Sequence, residues 1–265
     1  MTIVRDRRNH LARQREWLAR HPDSVRHVIV DMGGEPISAA SDTRVVDFQV
    51  SPGTPLPLAA ARNLGARHAD AEILIFLDVD CIPTLGLVPA YERSVRRSGG
   101  VRSGPVGYLP PSEEVREWEV DELVRVSRFH DGRPRIAQRS TIAPSPDMFW
   151  SLSFALTSTT FAAVGGFDES FDGYGGEDTD FARAVAETGV DLWFDGDAVA
   201  FHQHHAISNP PVEHLADITR NATRFHEKWG AWPMAGWLKA FCDLGLIEWN
   251  PTSNEIVRCP PAPRA

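Results

Sequence analysis

The stretch Glu72 to Pro83, EILIFLDVDCIP, constrains this chain more than any other. Its five apolar residues, Ile73 to Leu77, form a short, branched-rich run of the kind that makes a strand buried on both faces. The run stops at Asp78-Val79-Asp80, and Pro83 ends further pairing because it has no N–H to give. Two carboxylates one residue apart cannot both be hidden in a core. In an open α/β sheet, ligands gather at the carboxyl ends of the strands, where this pair falls. Hard oxygen donors at such a place suit a divalent cation shared with substrate phosphates. Taken alone, the triplet is better read as a solvated turn, so the remaining blocks have to decide.

Around this strand the pattern alternates. Met1 to Val4 reads as a strand and is followed by Arg5-Asp6-Arg7-Arg8; a helix is expected from Asn9, its N-cap, to His21-Pro22. Val25 to Val30, ending at Asp31, and Thr43 to Val50 read as strands, Leu58 to His68 and Leu87 to Arg97 as helices. Strands alternating with helices predict an α/β fold with a mostly parallel central sheet covered on both faces. Residues 98–146 differ, being rich in Pro, Gly, Arg and Glu. One helix, Ser112 to Val126, and a long irregular segment are expected there, either a lid or a disordered insertion. Strand character resumes over Phe149 to Leu156, then a helix over Ser158 to Val164, and strands over Val190 to Phe194 and Ala198 to Phe201. The organisation expected is one domain over 1–210, with a nucleotide-binding half 1–97, the segment 98–146 and an acceptor half 147–210. A tryptophan-rich helical extension, 211–265, packs on the same domain and ends in a disorder-prone PPAPRA. Its tryptophans read mainly as core against the sheet, and secondarily as a dimer face or acceptor-docking surface.

A formal net charge of −9 argues against a nucleic-acid groove or an anionic membrane as partner. Lys228 and Lys239 are the only lysines, so a phosphate would meet guanidinium groups. Cys81, Cys242 and Cys259 are odd in number and lack metal spacing, which fits reduced thiols. No run approaches a membrane span, and a cytoplasmic location is expected. The oligomeric state stays open, a homodimer being one alternative.

A second acidic cluster lies in GGFDESFDGYGGEDTDF, Gly165 to Phe181. One of its acids caps the following helix, but capping does not explain six carboxylates set among Phe167, Phe171, Tyr174 and Phe181. A carboxylate base beside an aromatic platform does, because sugars stack their apolar faces on rings while carboxylates accept their hydroxyls. His202, His204 and His205 follow a predicted strand, and imidazole beside carboxylate is a common ligand pair for Mn²⁺ or a similar ion.

With these blocks in hand, the chain resembles the nucleotide-sugar glycosyltransferases of the GT-A fold, between the large family 2 and the β-1,4-galactosyltransferase family 7. TIVRDRRNHLARQREWL resembles the opening strand and helix, AAARNLGARHA the helix before the metal motif, IFLDVDCIP the galactosyltransferase DxD, and VGGFDESFDGYGGEDTDF the acceptor block. Four blocks in this order are specific where each alone is weak. The resemblance implies a Rossmann-like catalytic domain using Mn²⁺ or Mg²⁺, a nucleotide-sugar donor, UDP favoured, and a carbohydrate or glycoside acceptor. Asp80 would bind the metal with His202, or with His204 as the second choice, and Asp78 and Val79 would face the nucleotide sugar. Arg5 and Arg7 would hold the uracil or diphosphate, Asp31 the base, and Arg62 and Asn63 the pocket wall. Asp178 would be the general base of an inverting transfer, with Glu177, Tyr174 and Gly176 on the acceptor. Tyr174 stands where family 7 usually has Trp, and the His-Gln-His-His spacing is closer to family 2. Rival readings are a haloacid-dehalogenase-like phosphatase, which would need a lysine near the DVD, a glycoside hydrolase, and a non-catalytic carbohydrate-binding or scaffold protein on the same fold.

Overall fold

Short apolar runs become strands and the amphipathic stretches between them become covering helices in the computed structural model, which describes residues 1–21, 25–133, 139–206, 208–252 and 254–260. In chain order these are β1 (Thr2–Val4), α1 (Arg8–Ala19), β2 (His27–Asp31), β3 (Thr43–Asp47), α2 (Leu58–Ala69), β4 (Ile73–Leu77), β5 (Cys81–Pro83) and α3 (Leu87–Ser98). Then come β6 (Val101–Ser103), β7 (Val106–Tyr108), α4 (Val120–Val126), β8 (Arg128–Phe129), β9 (Thr141–Ile142), β10 (Ser153–Thr157) and α5 (Ser158–Val164). The last part holds α6 (Glu177–Glu187), β11 (Leu192–Phe194), β12 (Ala200–His202), α7 (Leu215–Trp229), α8 (Ala235–Asp243) and the small hairpin β13 (Ile247–Glu248) and β14 (Val257–Arg258).

β1, β2 and β3 pair in parallel, Thr2 opposite Ile29 and Ile29 opposite Val45. The sheet continues sideways into β4, where Leu77 N donates to Met1 O at 3.0 Å and the Met1 amine donates to Ile75 O. Beyond β4 the order is β10, β6, β11 and β9. β10 is antiparallel to both β4 and β6, and β11 is parallel to β6, so β4, β6 and β11 share one direction. The strand order therefore reverses between β1 and β4, and a crevice opens at the carboxyl ends of this pair. A second sheet, β5-β12-β7-β8, sits beside that crevice and places His202, the last residue of β12, opposite Cys81 of β5.

Under the β4–β10 half lies a phenylalanine core. Phe76 stacks on Phe154 at 4.4 Å, and Phe167 stacks on Phe181 at 4.4 Å. Phe167, Phe171 and Phe181 are all buried, which removes them from the aromatic platform expected of the acidic cluster; Tyr174 alone of those four is left part-exposed.

Several boundaries differ from expectation. α1 starts at Arg8 with Arg7 as its N-cap and no capping side chain, so Asn9 lies inside the helix. The helix expected over Ser112 to Val126 breaks into a 3₁₀ turn, Ser112–Glu114, and α4; between them Val115 is buried and Trp118 stacks under the Arg13 guanidinium at 3.6 Å. Phe149 is buried, but it follows the 3₁₀ turn Pro146–Met148, and the strand begins only at Ser153. Most of 98–146 is integral rather than irregular. β6 is buried within the main sheet, and Leu109, Val115 and Leu123 share a core with Trp17 and Phe201. Its three-residue strands are too short to show a period. They are separated by Gly104-Pro105, where a Cβ on Gly104 would collide with the Ala198 carbonyl. Residues 134–138 and 261–265, parts of the expected irregular segment and tail, lie outside the described residues, as does Pro22.

The C-terminal helices pack on the glycine-rich acidic loop rather than on the sheet. α7 and α8 form their own cluster, Ile218, Ala222, Leu238 and Phe241, with Tyr174, Trp232, Trp237 and Trp249 against it. Among the described residues, no helix is long and apolar enough to cross a membrane.

Candidate active site

The DVD turn lies at the reversal point. Asp80 is buried at 8% exposure, and its Oδ2 accepts from Arg7 Nη1 at 2.8 Å. His205 Nε2 is 3.7 Å from the same oxygen, and His10 Nε2 is 3.9 Å from Oδ1, which has no hydrogen-bond partner. Ligand atoms of Asp80, His202 and His205 lie within 4.8 Å of one another. Burial pushes His202 down to about 4 and lowers His205, which favours the neutral imidazole that metal ligation requires. One carboxylate with an orphaned buried oxygen and two neutral imidazoles fit Mn²⁺ or Mg²⁺, the imidazoles favouring Mn²⁺. His204 does not join them. It is exposed, and its carbonyl accepts from His10 Nε2 at 3.2 Å, so the second histidine of the set is His205.

Gln14 of α1 holds the turn from below, its amide donating to Asp78 O and Cys81 O, both at 2.8 Å. The basic residues after β1 divide between two carboxylates. Arg7 meets Asp80, while Arg8 clasps both oxygens of Asp31 at 3.0 Å. Arg5 is 3.7 Å from Asp6. Val79 was expected on the donor, but its side chain is buried with Val4, Leu11 and Ile29 because it points back under the sheet. Asn63 was expected in the pocket wall. Its amide instead donates to Phe167 O at 2.8 Å and Glu169 Oε1 at 2.9 Å, and its Oδ1 accepts from Phe167 N, which pins the acidic loop to α2.

Arg62, one position earlier, reaches the cleft. Its Nη2 is 3.2 Å from Asp78 Oδ1 and its Nη1 is 3.0 Å from Glu177 Oε1. Glu177 and Asp178 open α6, whose N-cap is Gly176, with φ 92°. Burial, then the neighbouring Glu177 carboxylate, push Asp178 up to about 7, against the pull of the Thr179 N–H and Arg62. A carboxyl poised there is matched to taking a proton near neutral pH. A cavity of about 760 Å³ is lined by Arg62, Asp78, Glu177 and Asp178 on its polar side and by Tyr108, Trp150, Tyr174 and Trp237 as aromatic wall. Gly176 lines it too.

Two other acids of the cluster, Asp168 and Asp180, are engaged by the C-terminal helix α7. Lys228 Nζ binds Asp168 Oδ2 and Asp180 Oδ1, each at 2.8 Å, and Trp229 Nε1 donates to Asp180 Oδ1 at 2.8 Å. Sequence reasoning missed Arg8, the approach of His205 to Asp80, and Tyr108 and Trp150 in the aromatic wall, and read Trp237 mainly as core. Arg8, His205 and Trp237 carried a signal, since each stands in a group already singled out.

Residues 140–214 match a family model described as the N-terminal domain of galactosyltransferase. The chain is 29% identical over 196 residues to validoxylamine A glucosyltransferase of Streptomyces hygroscopicus subsp. jinggangensis (strain 5008), covering 64% of this chain and 44% of that protein. The protein of the same name from Streptomyces hygroscopicus subsp. limoneus gives 29% over 196 residues, 64% of this chain and 41% of the relative. The match thus spans less than half the length of these relatives. Among solved structures, GalNAc-T7 with UDP, GalNAc and Mn²⁺ superposes with a TM-score of 0.58 at 12% identity, over 91% of this chain and 56% of that one. S. aureus TarS 1-349 gives 0.52 at 11% identity, over 83% and 63%. At such identities the likeness establishes the fold, which is that of the GT-A glycosyltransferases.

Proposed function

We propose that this GT-A chain moves a hexose from a nucleotide-diphosphate sugar, UDP favoured, to an acceptor hydroxyl with inversion. One observation carries the reading: Asp178, poised to titrate near neutrality, and Asp78 of the DVD turn line a single cavity, joined through Arg62. The solved structure of GalNAc-T7 with UDP and Mn²⁺, and the glucosyltransferase name of the Streptomyces relatives, support the donor class.

In this reading Asp80, His202 and His205 would hold Mn²⁺ or Mg²⁺, which when bound supplies positive charge against the donor diphosphate. Arg7, already beside Asp80, adds a fixed guanidinium on the same side and offsets charge on the leaving group. Asp31, clasped by Arg8, forms the end of the donor cleft. Asp178 takes the acceptor proton as its oxygen attacks the anomeric carbon, and a base on the face away from the leaving group gives inversion. Arg62 pairs with both Asp78 and Glu177 and orients their carboxyl groups. Against the phosphatase alternative, Asp78 is bonded to Arg62, and both lysines are engaged elsewhere, Lys228 with Asp168 and Asp180 and Lys239 with Asp243.

The test is a thermal-shift panel of nucleoside diphosphates and nucleotide sugars, each with Mn²⁺ and with EDTA. Ligand at a hundredfold excess over Kd stabilises the fold by about 2.7 kcal/mol. A metal-dependent shift with UDP or a UDP-sugar is expected. A shift only with phosphate mimics would favour the phosphatase, and none at all a scaffold.

A further inference from the structure

The family match stops at residue 214, yet the wall of the cleft continues into the chain beyond it. Met234, Gly236 and Trp237, at the start of α8, line the same cavity as Glu177 and Asp178. The Trp237 ring lies 5.9 Å from Tyr174 and 29° from parallel, and His214 stacks on Tyr174 at 4.4 Å and 18°. Met234 enters α8 with φ 51°, in the left-handed region that a residue with a Cβ occupies only at a cost. It packs over Gly175, where a Cβ would come within 2.9 Å of Met234 Sδ. Asn221 of α7 locks the same loop by donating to Asp172 O at 3.1 Å and Gly175 O at 2.8 Å.

Two features say what this wall receives. Glu177 is 6% exposed, and its Oε2 has no hydrogen-bond partner although Oε1 is held by Arg62. A buried carboxylate oxygen left on a cavity wall is satisfied by a ligand donor. Asp78, Glu177 and Asp178 line the cavity, and Arg62 is the one arginine or lysine among its described lining residues, so an anionic ligand would be repelled.

We propose that the first turn of α8, Met234 to Trp237, selects the acceptor, presenting an apolar wall to one face of a polyhydroxylated ring that carries no negative charge. The proposal rests on the transfer reading above and deepens it. Trp237 and Met234 act on acceptor affinity and leave the donor cleft around Asp80 and Asp31 untouched.

The experiment is isothermal titration of methyl β-glucopyranoside, and of its uronate as the charged control, into the full chain saturated with UDP and Mn²⁺, with UDP titrated separately. The glucopyranoside is expected to bind and the uronate to bind more weakly. Trp237→Ala is expected to weaken the glucopyranoside roughly tenfold, the equivalent of one aromatic contact. Trp237→Phe should restore most of it, and UDP affinity should change little in either variant. Glucopyranoside binding unchanged by Trp237→Ala, or UDP affinity falling in parallel, would overturn the proposal. So would UDP binding without any glucopyranoside binding. Failure of the wild type to bind UDP would instead sink the donor reading beneath it.

Discussion

Arg62 Nη1 lies 3.0 Å from Glu177 Oε1, and both side chains are under a tenth exposed. This pair ties helix α2, before the DVD strand, to the first turn of α6, 115 residues later. Removing one partner of a buried pair leaves the other charge unpaired, at a cost of about 3–5 kcal/mol. Arg62→Met, which keeps the stem but loses the fork, should lower unfolding free energy in urea by that amount. A loss of about 1 kcal/mol or less, typical of exposed pairs, would mean that the two halves are held by other contacts.

That link was only half legible in the sequence. EILIFLDVDCIP places a strand and two carboxylates at its end because burial on both faces leaves an unbroken apolar run. Arg62 and Asn63 were singled out together, but their neighbourhood separates them: one side chain reaches the cleft, the next is consumed pinning Phe167. His204 and His205 differ in the same way. Which of two adjacent side chains turns inward depends on the path after β12, and no local pattern encodes it. Trp237 stands among tryptophans whose main reading is core, since helical tryptophans more often fill one, and an acceptor-docking surface is only their secondary reading. Its place in the cavity wall follows from α8 meeting the loop at Gly175.

The ligand set is tested by Mn²⁺ titration with UDP present, read by electron paramagnetic resonance. Asp80→Asn, His202→Ala and His205→Ala are each expected to weaken Mn²⁺ by roughly tenfold or more. His204→Ala, altering an exposed ring, should stay within about twofold. The opposite ranking of His204 and His205 would contradict the assignment.

Asp178 sets the pH dependence. Its folded pKa, about 7, lies above its ordinary value of 3.8, so between these the folded chain keeps a proton that the unfolded chain has lost. Stability therefore falls as pH rises from about 4 to about 7, and Asp178→Asn should flatten that slope in urea titrations at successive pH values. The base works only when ionised, so kcat/KM should rise with pH through an apparent pKa near 7. A profile already flat from pH 5 upward would remove Asp178 from that role.

The most direct measurement is NMR-monitored release of UDP from UDP-sugars by wild type and Asp178→Asn, with Mn²⁺ and with EDTA, water or a pyranoside serving as acceptor. The account predicts Mn²⁺-dependent release by the wild type, a drop of about 10²- to 10⁴-fold in the variant, and UDP affinity unchanged between the two. Equal rates for the two proteins, or no consumption of any UDP-sugar by a wild type that binds UDP, would contradict it.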